Sequence, residues 1–288
     1  MNENQNKKIL VTGGAGFIGS NLVEALVKDP NNRVVSLDNY STGLKENHIE
    51  GAEYIEGHTK DIETLIDFVP DMIYHLGEYA RTSASFDDVD TVWDFNVFGT
   101  FKVLEFCRKN NVRLLYAGSS TKFGDRGEGK DQSPYAWSKS RNTDLDVQYG
   151  EWFGLDYVIT YFYNVYGPRE RSGRLGSLIE ILKEKYKNGE PLPIVSPGTQ
   201  KRNFTYVGDI VRGLILVGEK GKGDGYALGN EESYTILEVA KMFGDNIEML
   251  PERKGDRAVS TLDLSRTAGE LGWKAEKKLA EYIESIKS

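Results

Sequence analysis

The stretch Lys8–Thr12 (KILVT), followed at once by Gly13–Gly19 (GGAGFIG), decides the reading of this chain. Lys8–Thr12 is a short apolar run rich in β-branched side chains, the composition of a strand. Ser20–Lys28 then places apolar residues at Leu22, Val23, Leu26 and Val27, a helical period. A second apolar run, Arg33–Leu37, ends in Asp38-Asn39. The order is strand, glycine turn, helix, strand and acid.

Each part has a physical job in holding a dinucleotide. Glycine at Gly13 and Gly16 lets the backbone approach a pyrophosphate closely, and the start of the following helix offers it free N–H groups and a partial positive charge. Gly19 allows the helix to pack closely on the sheet. Asp38, 19 residues after Gly19, would accept the adenosine ribose hydroxyls and repel a 2′-phosphate, which favours NAD over NADP. Glycine turns are common, but here the preceding strand, the following helix and the distant acid agree.

Working outward, the chain has 288 residues, with 36 Lys+Arg against 44 Asp+Glu for a formal charge of −8. That length suits one large domain or two interlocked ones. With 39% hydrophobic and 28% charged residues it reads as a soluble globular chain able to bury a sizeable core. The acidic balance argues against nucleic-acid binding, which needs a basic face. The single cysteine, Cys107, excludes a disulfide framework and points to a reducing compartment. Met1–Lys8 is polar with no apolar h-region behind it, and no run approaches membrane-spanning length, so the expectation is a cytoplasmic chain.

Apolar runs recur at Glu53–Ile55, Met72–Leu76, Val112–Ala117 and Tyr157–Phe162, separated by segments of helical period such as Phe98–Arg108. Strands alternating with helices predict an α/β fold, a Rossmann-type doubly wound parallel sheet. Beyond about Gly167 the alternation is expected to fail: glycine and proline punctuate Gly189–Gly198, and the tail from Thr235 reads as small helices and loops. The expected division is a nucleotide-binding domain over residues 1–165, with returning segments from the C-terminal half, and a smaller substrate-binding region over 166–288.

The chemistry-bearing group follows the fifth predicted strand. Ser119 stands at its end, and 16 residues later comes Tyr135-Ala136-Trp137-Ser138-Lys139. Tyr135 and Lys139, spaced i, i+4, share one face of a helix. A phenol of pKa about 10 is a poor base at neutral pH, but an adjacent ammonium and an oxidised nicotinamide favour the phenolate. Ser119 would then orient a substrate hydroxyl. The Tyr-x-x-x-Lys spacing is weak alone; its place after the glycine turn and the serine gives it meaning.

With these residues in view, the chain resembles the extended short-chain dehydrogenase/reductase family, in the nucleotide-sugar epimerase branch that includes UDP-galactose 4-epimerase. The landmarks run from Ile9 to Trp273: Gly13–Ser20, Leu37–Gly43 (LDNYSTG), Lys60–Ile62 (KDI), His75–Gly77, Asn96–Thr100, Ser133–Lys139 (SPYAWSK), Tyr163–Glu170 (YNVYGPRE), Gln200–Asp209, Arg253–Asp256 and Glu270–Trp273. The resemblance implies NAD as cofactor, with contacts extending to Phe17, Ile18, Asn39, Ser41, Thr42, Gly43, Asp61 near the adenine, Ile62, Leu76 and Phe162. It also implies that Asn164, Arg202 and Arg253 hold a nucleotide diphosphate, and guanidinium groups suit that task because they bind oxygens in pairs and stay charged. Family members often pair as homodimers through the helices around Trp93, Phe95 and Phe98; the same aromatics read equally as core.

The departures narrow the chemistry. Related 4,6-dehydratases carry Asp-Glu directly after the catalytic Ser/Thr, and related decarboxylases a Glu two positions after it; here Ser120 and Thr121 stand there. The expectation excludes both activities and leaves hydride transfer at C4 of a nucleotide-sugar, first as epimerisation. The alternative is a 4-dehydrogenase or 4-ketoreductase that resets its cofactor with a second substrate. Rivals of other classes are a non-catalytic NAD-binding regulator and a reductase for a non-sugar carbonyl. The segment between Gly124 and Tyr135 is short, predicting a more open pocket, and Tyr161 replaces a usual arginine. Glu78 and Arg81 stand where small or neutral residues are usual. With Thr121 they are expected at the substrate, suggesting a heptose, an acidic sugar or a small carboxylate co-substrate; alternatively they pair with neighbours as scaffold. The three histidines lack metal-ligand spacing, so no metal is expected, and Cys107 reads as packing.

Overall fold

The computed structural model describes residues 7–252 and 261–287. Each of the six apolar runs becomes a strand: β1 (Lys7–Thr12), β2 (Asn32–Asp38), β3 (Ala52–Glu56), β4 (Met72–His75), β5 (Arg113–Ser119) and β6 (Tyr157–Phe162). Between them lie α1 (Phe17–Leu26), the short α2 (Ile62–Leu65) and α3 (Val89–Val92), α4 (Thr100–Asn110) and α5 (Pro134–Phe153). The helix predicted over Phe98–Arg108 is entered through a wider π-helical segment, Trp93–Gly99. Gly16 caps α1, so the helix begins at Phe17, within the glycine turn.

After β6 the chain forms β7 (Val165–Tyr166), α6 (Leu178–Lys187), β8 (Leu192–Val195), β9 (Lys201–Asn203) and β10 (Thr205–Tyr206). It then returns through α7 (Val207–Lys220) to β11 (Gly223–Leu228), and ends with β12 (Ser233–Thr235), α8 (Ile236–Phe243), β13 (Ile247–Leu250), α9 (Ser265–Leu271) and α10 (Leu279–Lys287). The main sheet has seven parallel strands in the order β11-β6-β5-β4-β1-β2-β3. The strand–helix alternation therefore resumes after Gly167, contrary to the expectation. Glycines at 223 and 225 hide β11 from a reading by β-branched residues, and its pairing with β6 overrides that weak local signal. Three two-stranded ladders, β10–β7, β12–β9 and β13–β8, build the smaller region.

Successive side chains of a strand face opposite sides, and both sides of this sheet are covered. Ile9 and Val11 of β1, with Met72 and Tyr74 of β4, join a core with α1 and α7. Leu10 and Ile73 join the opposite core with α4, which includes Cys107. A separate core in the smaller region gathers α6, α8 and α10 around Tyr166 and Phe204. The inner face of α5 is instead polar: Ser138, Lys139, Asn142, Thr143 and Asp146 are all buried. Among the described residues no helix is long and apolar enough to cross a membrane.

Candidate active site

In an open parallel sheet, the loops at the strands' C-terminal ends part where the strand order reverses, leaving a crevice. Here that point lies between β1 and β4. A cleft opens there, lined by Gly13, Gly16, Phe17, Ile18 and Gly19 after β1, by Leu37–Asn39, Ser41 and Thr42 around the end of β2, and by Gly57 and Thr59 after β3. Its other half is lined by Leu76, Gly77, Glu78, Ala80 and Arg81 after β4, Phe95, Ala117 and Gly118 of β5, Tyr135 and Lys139 of α5, and Phe162.

The first half is made largely of main chain. Gly13 turns with φ 73°, and a Cβ there would come within 2.9 Å of the Gly77 main chain. A Cβ on Gly19 would lie 2.0 Å from the Gly13 oxygen, so α1 can sit this close only with glycine. Gly16 supplies no side-chain cap, and α1 carries no acid in its first turn. Its first N–H groups and dipole are thus left for an anion. Asp38 ends β2 and accepts from Ala15 N at 2.9 Å and Tyr40 N at 2.8 Å. Burial raises its pKa, and those N–H donors partly offset the rise. A Cβ on Gly43 would lie 2.7 Å from the Asp38 carboxylate, so Gly43 backs the acid. Of the implied Lys60–Ile62 contacts, Asp61 is exposed and Ile62 packs fully buried in the core; Gly57 and Thr59 face the cleft there. An uncapped helix start, a glycine cradle and a buried acid together fit a dinucleotide.

The second half is made of side chains. Ser133 accepts from Ala136 N at 3.0 Å and Pro134 opens the helix, so α5 starts where it presents Tyr135 and Lys139 to the cleft. Lys139 Nζ forms an ion pair with Glu78 and donates to the Ala117 carbonyl. Glu78, expected at the substrate, thus has its carboxylate turned to Lys139. It also accepts from Thr100 Oγ1 at 2.5 Å, Asn142 Nδ2 at 2.8 Å and Tyr116 OH at 3.1 Å. Burial alone would push the Glu78 carboxyl up; the Lys139 ammonium, helped by Thr100, outweighs it and holds the group below the usual carboxylate range.

Below Glu78, His75 bonds Thr100 Oγ1 through Nε2 at 2.9 Å and Thr12 Oγ1 through Nδ1 at 2.7 Å. Thr12 Oγ1 already accepts from Leu76 N and Gly77 N, so its proton goes to Nδ1 and the His75 proton sits on Nε2. Burial lowers the His75 pKa to about 4, so the ring is neutral. The described residues hold no cluster of metal-ligating side chains.

Ser119 ends β5 beside cleft-lining Gly118; its Oγ accepts from Thr121 Oγ1 at 3.0 Å, and both side chains are buried. Arg81 donates through Nε to the Leu175 carbonyl at 2.5 Å and through Nη1 to Ala80 O. Burial lowers its pKa, opposed by Tyr135 and Glu170 nearby. Tyr161 lies behind the site and donates to Asp224 at 2.6 Å. Asn164 and Arg202 are not among the cleft-lining residues. Asn164 Nδ2 donates to Asn203 O at 3.0 Å, next to Arg202 on β9. Arg253 lies outside the described residues. The sequence reading missed Thr100, Tyr116 and Asn142; the only local signal was Asn142, one turn after Lys139 on the same face.

Comparisons with known proteins agree with this geometry. Residues 9–229 match the model of the NAD dependent epimerase/dehydratase family. UDP-glucuronic acid decarboxylase 6 of Arabidopsis thaliana is 31% identical over 96% of this chain and 87% of its own length. The UDP-glucose 4-epimerase of Thermotoga maritima, solved with UDP-glucose, superposes with a TM-score of 0.90 at 27% identity, covering 97% of each chain. The UDP-glucose 4-epimerase of Thermus thermophilus, solved with NAD, gives 0.87 at 29% identity over 97% of this chain and 98% of its own. The matched span takes in both halves of the cleft. With its parallel sheet, glycine turn and buried acid, the chain is an NAD-dependent enzyme that belongs to the epimerase/dehydratase family of extended short-chain dehydrogenases/reductases.

Proposed function

We propose that this enzyme oxidises and re-reduces C4 of a nucleotide-diphosphate sugar, and that the overall reaction is 4-epimerisation. The observation that carries this reading is Tyr135 and Lys139 on one wall of the cleft, with Ser120 and Thr121 where a dehydratase or decarboxylase would need carboxylates. Bound NAD supplies a reversible hydride acceptor. Tyr135 takes the proton of the C4 hydroxyl and returns it; Lys139 supports Tyr135, and Ser119 orients the hydroxyl. Gly13, Gly16, Phe17, Ile18 and Gly19 hold the pyrophosphate, Asp38 the adenosine ribose, and Leu76 and Phe162 flank the nicotinamide. Asn164, Arg202 and Arg253 hold the substrate diphosphate, in a region built mainly from residues 166–288.

A second reading, a 4-dehydrogenase reset by a small carboxylate, draws support from Arg81, the one cation besides Lys139 among the cleft-lining residues described. Proton NMR of nucleotide-sugars incubated with the protein, without added NAD, separates the two. Catalytic accumulation of a C4 epimer supports epimerisation; a 4-keto product in amounts matching the enzyme replaces it with the second reading.

The enzyme is further proposed to act as a homodimer. Phe98 and Phe101, at the π-helical segment and α4, are 55% and 40% exposed, and Trp152 and Phe153 at the end of α5 are 60% and 52% exposed, an apolar surface suited to a second copy. Sedimentation equilibrium is expected to give twice the chain mass, and Phe98→Glu to yield monomer; a monomeric wild type would overturn the proposal.

A further inference from the structure

The pairing of Glu78 with Lys139 has a consequence for the charge of the site. Both side chains are almost sealed from solvent, at 3% and 7% exposure. Glu78 has no free oxygen for a substrate: Oε2 takes Lys139, Oε1 takes Thr100 and Asn142, and the Tyr116 hydroxyl lies 3.1 Å from both. Lys139 is fixed in turn between Glu78 and the Ala117 carbonyl. The loop after β4, together with α4, β5 and α5, contributes to this knot.

His75, Tyr116 and Asp146, the buried titratable groups facing the pair, favour their uncharged forms. His75, on β4, is neutral for the reason given above. Burial pushes the Tyr116 phenol on β5 up, and burial with the nearby Glu78 charge pushes the Asp146 carboxyl on α5 up, which favours the protonated form of each. Lys122 and Asp224 lie beyond Asp146, paired with each other. Arg81 lies near Tyr135 and keeps its charge, with Nε and Nη1 donating to main-chain carbonyls. The Glu78 carboxylate and the Lys139 ammonium therefore offset each other, and Arg81 adds a positive charge nearby.

We propose that Glu78 is a positioning residue for Lys139, fixing the ammonium against β5 and offsetting part of its charge, so that the oxidised form of the bound cofactor is favoured more than an unpaired ammonium would allow. The proposal depends on the reading of this cleft wall as the nicotinamide end. An oxidised nicotinamide is a cation, and in a poorly screened site an unopposed ammonium beside it favours the neutral reduced ring. A carboxylate on that ammonium opposes this. An enzyme that opens each turnover by oxidising its substrate needs its cofactor oxidised beforehand.

The test is the reduction potential of the protein-bound NAD couple, read from absorbance during equilibration of the holoenzyme with redox dyes. Glu78→Gln is expected to hold about tenfold more reduced cofactor than wild type at a fixed poise, about 30 mV for a two-electron couple. Lys139→Met should move the ratio the other way. The double variant Glu78→Gln/Lys139→Met, neutral like the wild-type pair, should return close to the wild-type potential; it also decides the matter should Glu78→Gln alone fail to fold. A packing role for Glu78 leaves Glu78→Gln at the wild-type potential and the double variant at that of Lys139→Met. An unchanged potential in Glu78→Gln, or a double variant displaced as far as either single variant, overturns the proposal and leaves the cleft reading standing. A wild-type protein that retains no NAD overturns the cleft reading itself, and this proposal with it.

Discussion

At the glycine-turn end of the cleft, Asp38 takes its hydrogen bonds from the main-chain N–H groups of Ala15 and Tyr40, at most 23 positions away along the chain. At the opposite end, Glu78 takes its from the side chains of Thr100, Tyr116, Lys139 and Asn142, up to 64 positions away. Both carboxylates are buried, yet their pKa values move in opposite directions. Two N–H dipoles do not compensate the burial of Asp38, whereas a full ammonium more than compensates that of Glu78. The first end is a backbone shape that any chain with the right glycines adopts; the second is a network that exists only once distant elements are folded together.

Substitutions that strike one end alone sharpen this contrast. The largest effect is expected from Tyr135→Phe, which removes a single oxygen at the side-chain end: turnover falls by about a thousandfold while NAD affinity, measured by titration, stays within about twofold. Retained turnover removes the proposed base. Gly19→Ala strikes the backbone end, where the added methyl meets the Gly13 carbonyl; about 2–3 kcal/mol of stability and most NAD binding should be lost in denaturant and binding titrations. Near-wild-type stability would show that the turn yields and that the contrast is false.

The smallest effect concerns pH. Asp38 has a raised pKa in the folded state, so its contribution to stability is greatest in acid and is lost as pH rises through that pKa. Glu78 has a lowered one, so its contribution is present above the unfolded value and is lost as pH falls through the folded pKa. Between about pH 3 and 6, the stability of wild type relative to Asp38→Asn should therefore fall with rising pH, and relative to Glu78→Gln it should rise, each by about 1 kcal/mol. Urea midpoints of the apoprotein measure both slopes, and slopes of the same sign would remove the distinction drawn between the two carboxylates.

The same contrast explains what was legible in the sequence. The six strands and the Gly13–Asp38 unit are carried by local periodicity, turn chemistry and spacing, and the structure places them where those signals do. β11 was hidden because glycine occupies its start, and only pairing with β6 makes it a strand. The knot under Tyr135 was hidden for a different reason. Glu78 and Arg81 were legible as unusual residues, but not which way they point. That depends on Thr100 and Asn142 arriving from other helices, and no local pattern encodes such a meeting. Asp146 illustrates the limit, since an acid with both oxygens buried and without a hydrogen-bond partner would be placed on a solvated helix face by any reading of α5 alone.

The close approach of Gly13 and Gly77 ties two strands that the chain joins only through a long detour. A Cβ on the first would lie 2.9 Å from the second's main chain, and a Cβ on the second 3.0 Å from the first's nitrogen. Gly13 is doubly held, by its φ of 73° and by that contact, whereas at Gly77 an added methyl asks its neighbours to give by a few tenths of an ångström. The seam where the two halves of the cleft meet is thus unevenly closed: a library randomising both positions should return glycine at 13 and admit nothing larger than alanine at 77, and diversity in what the cleft accepts must come from the walls that rise on either side.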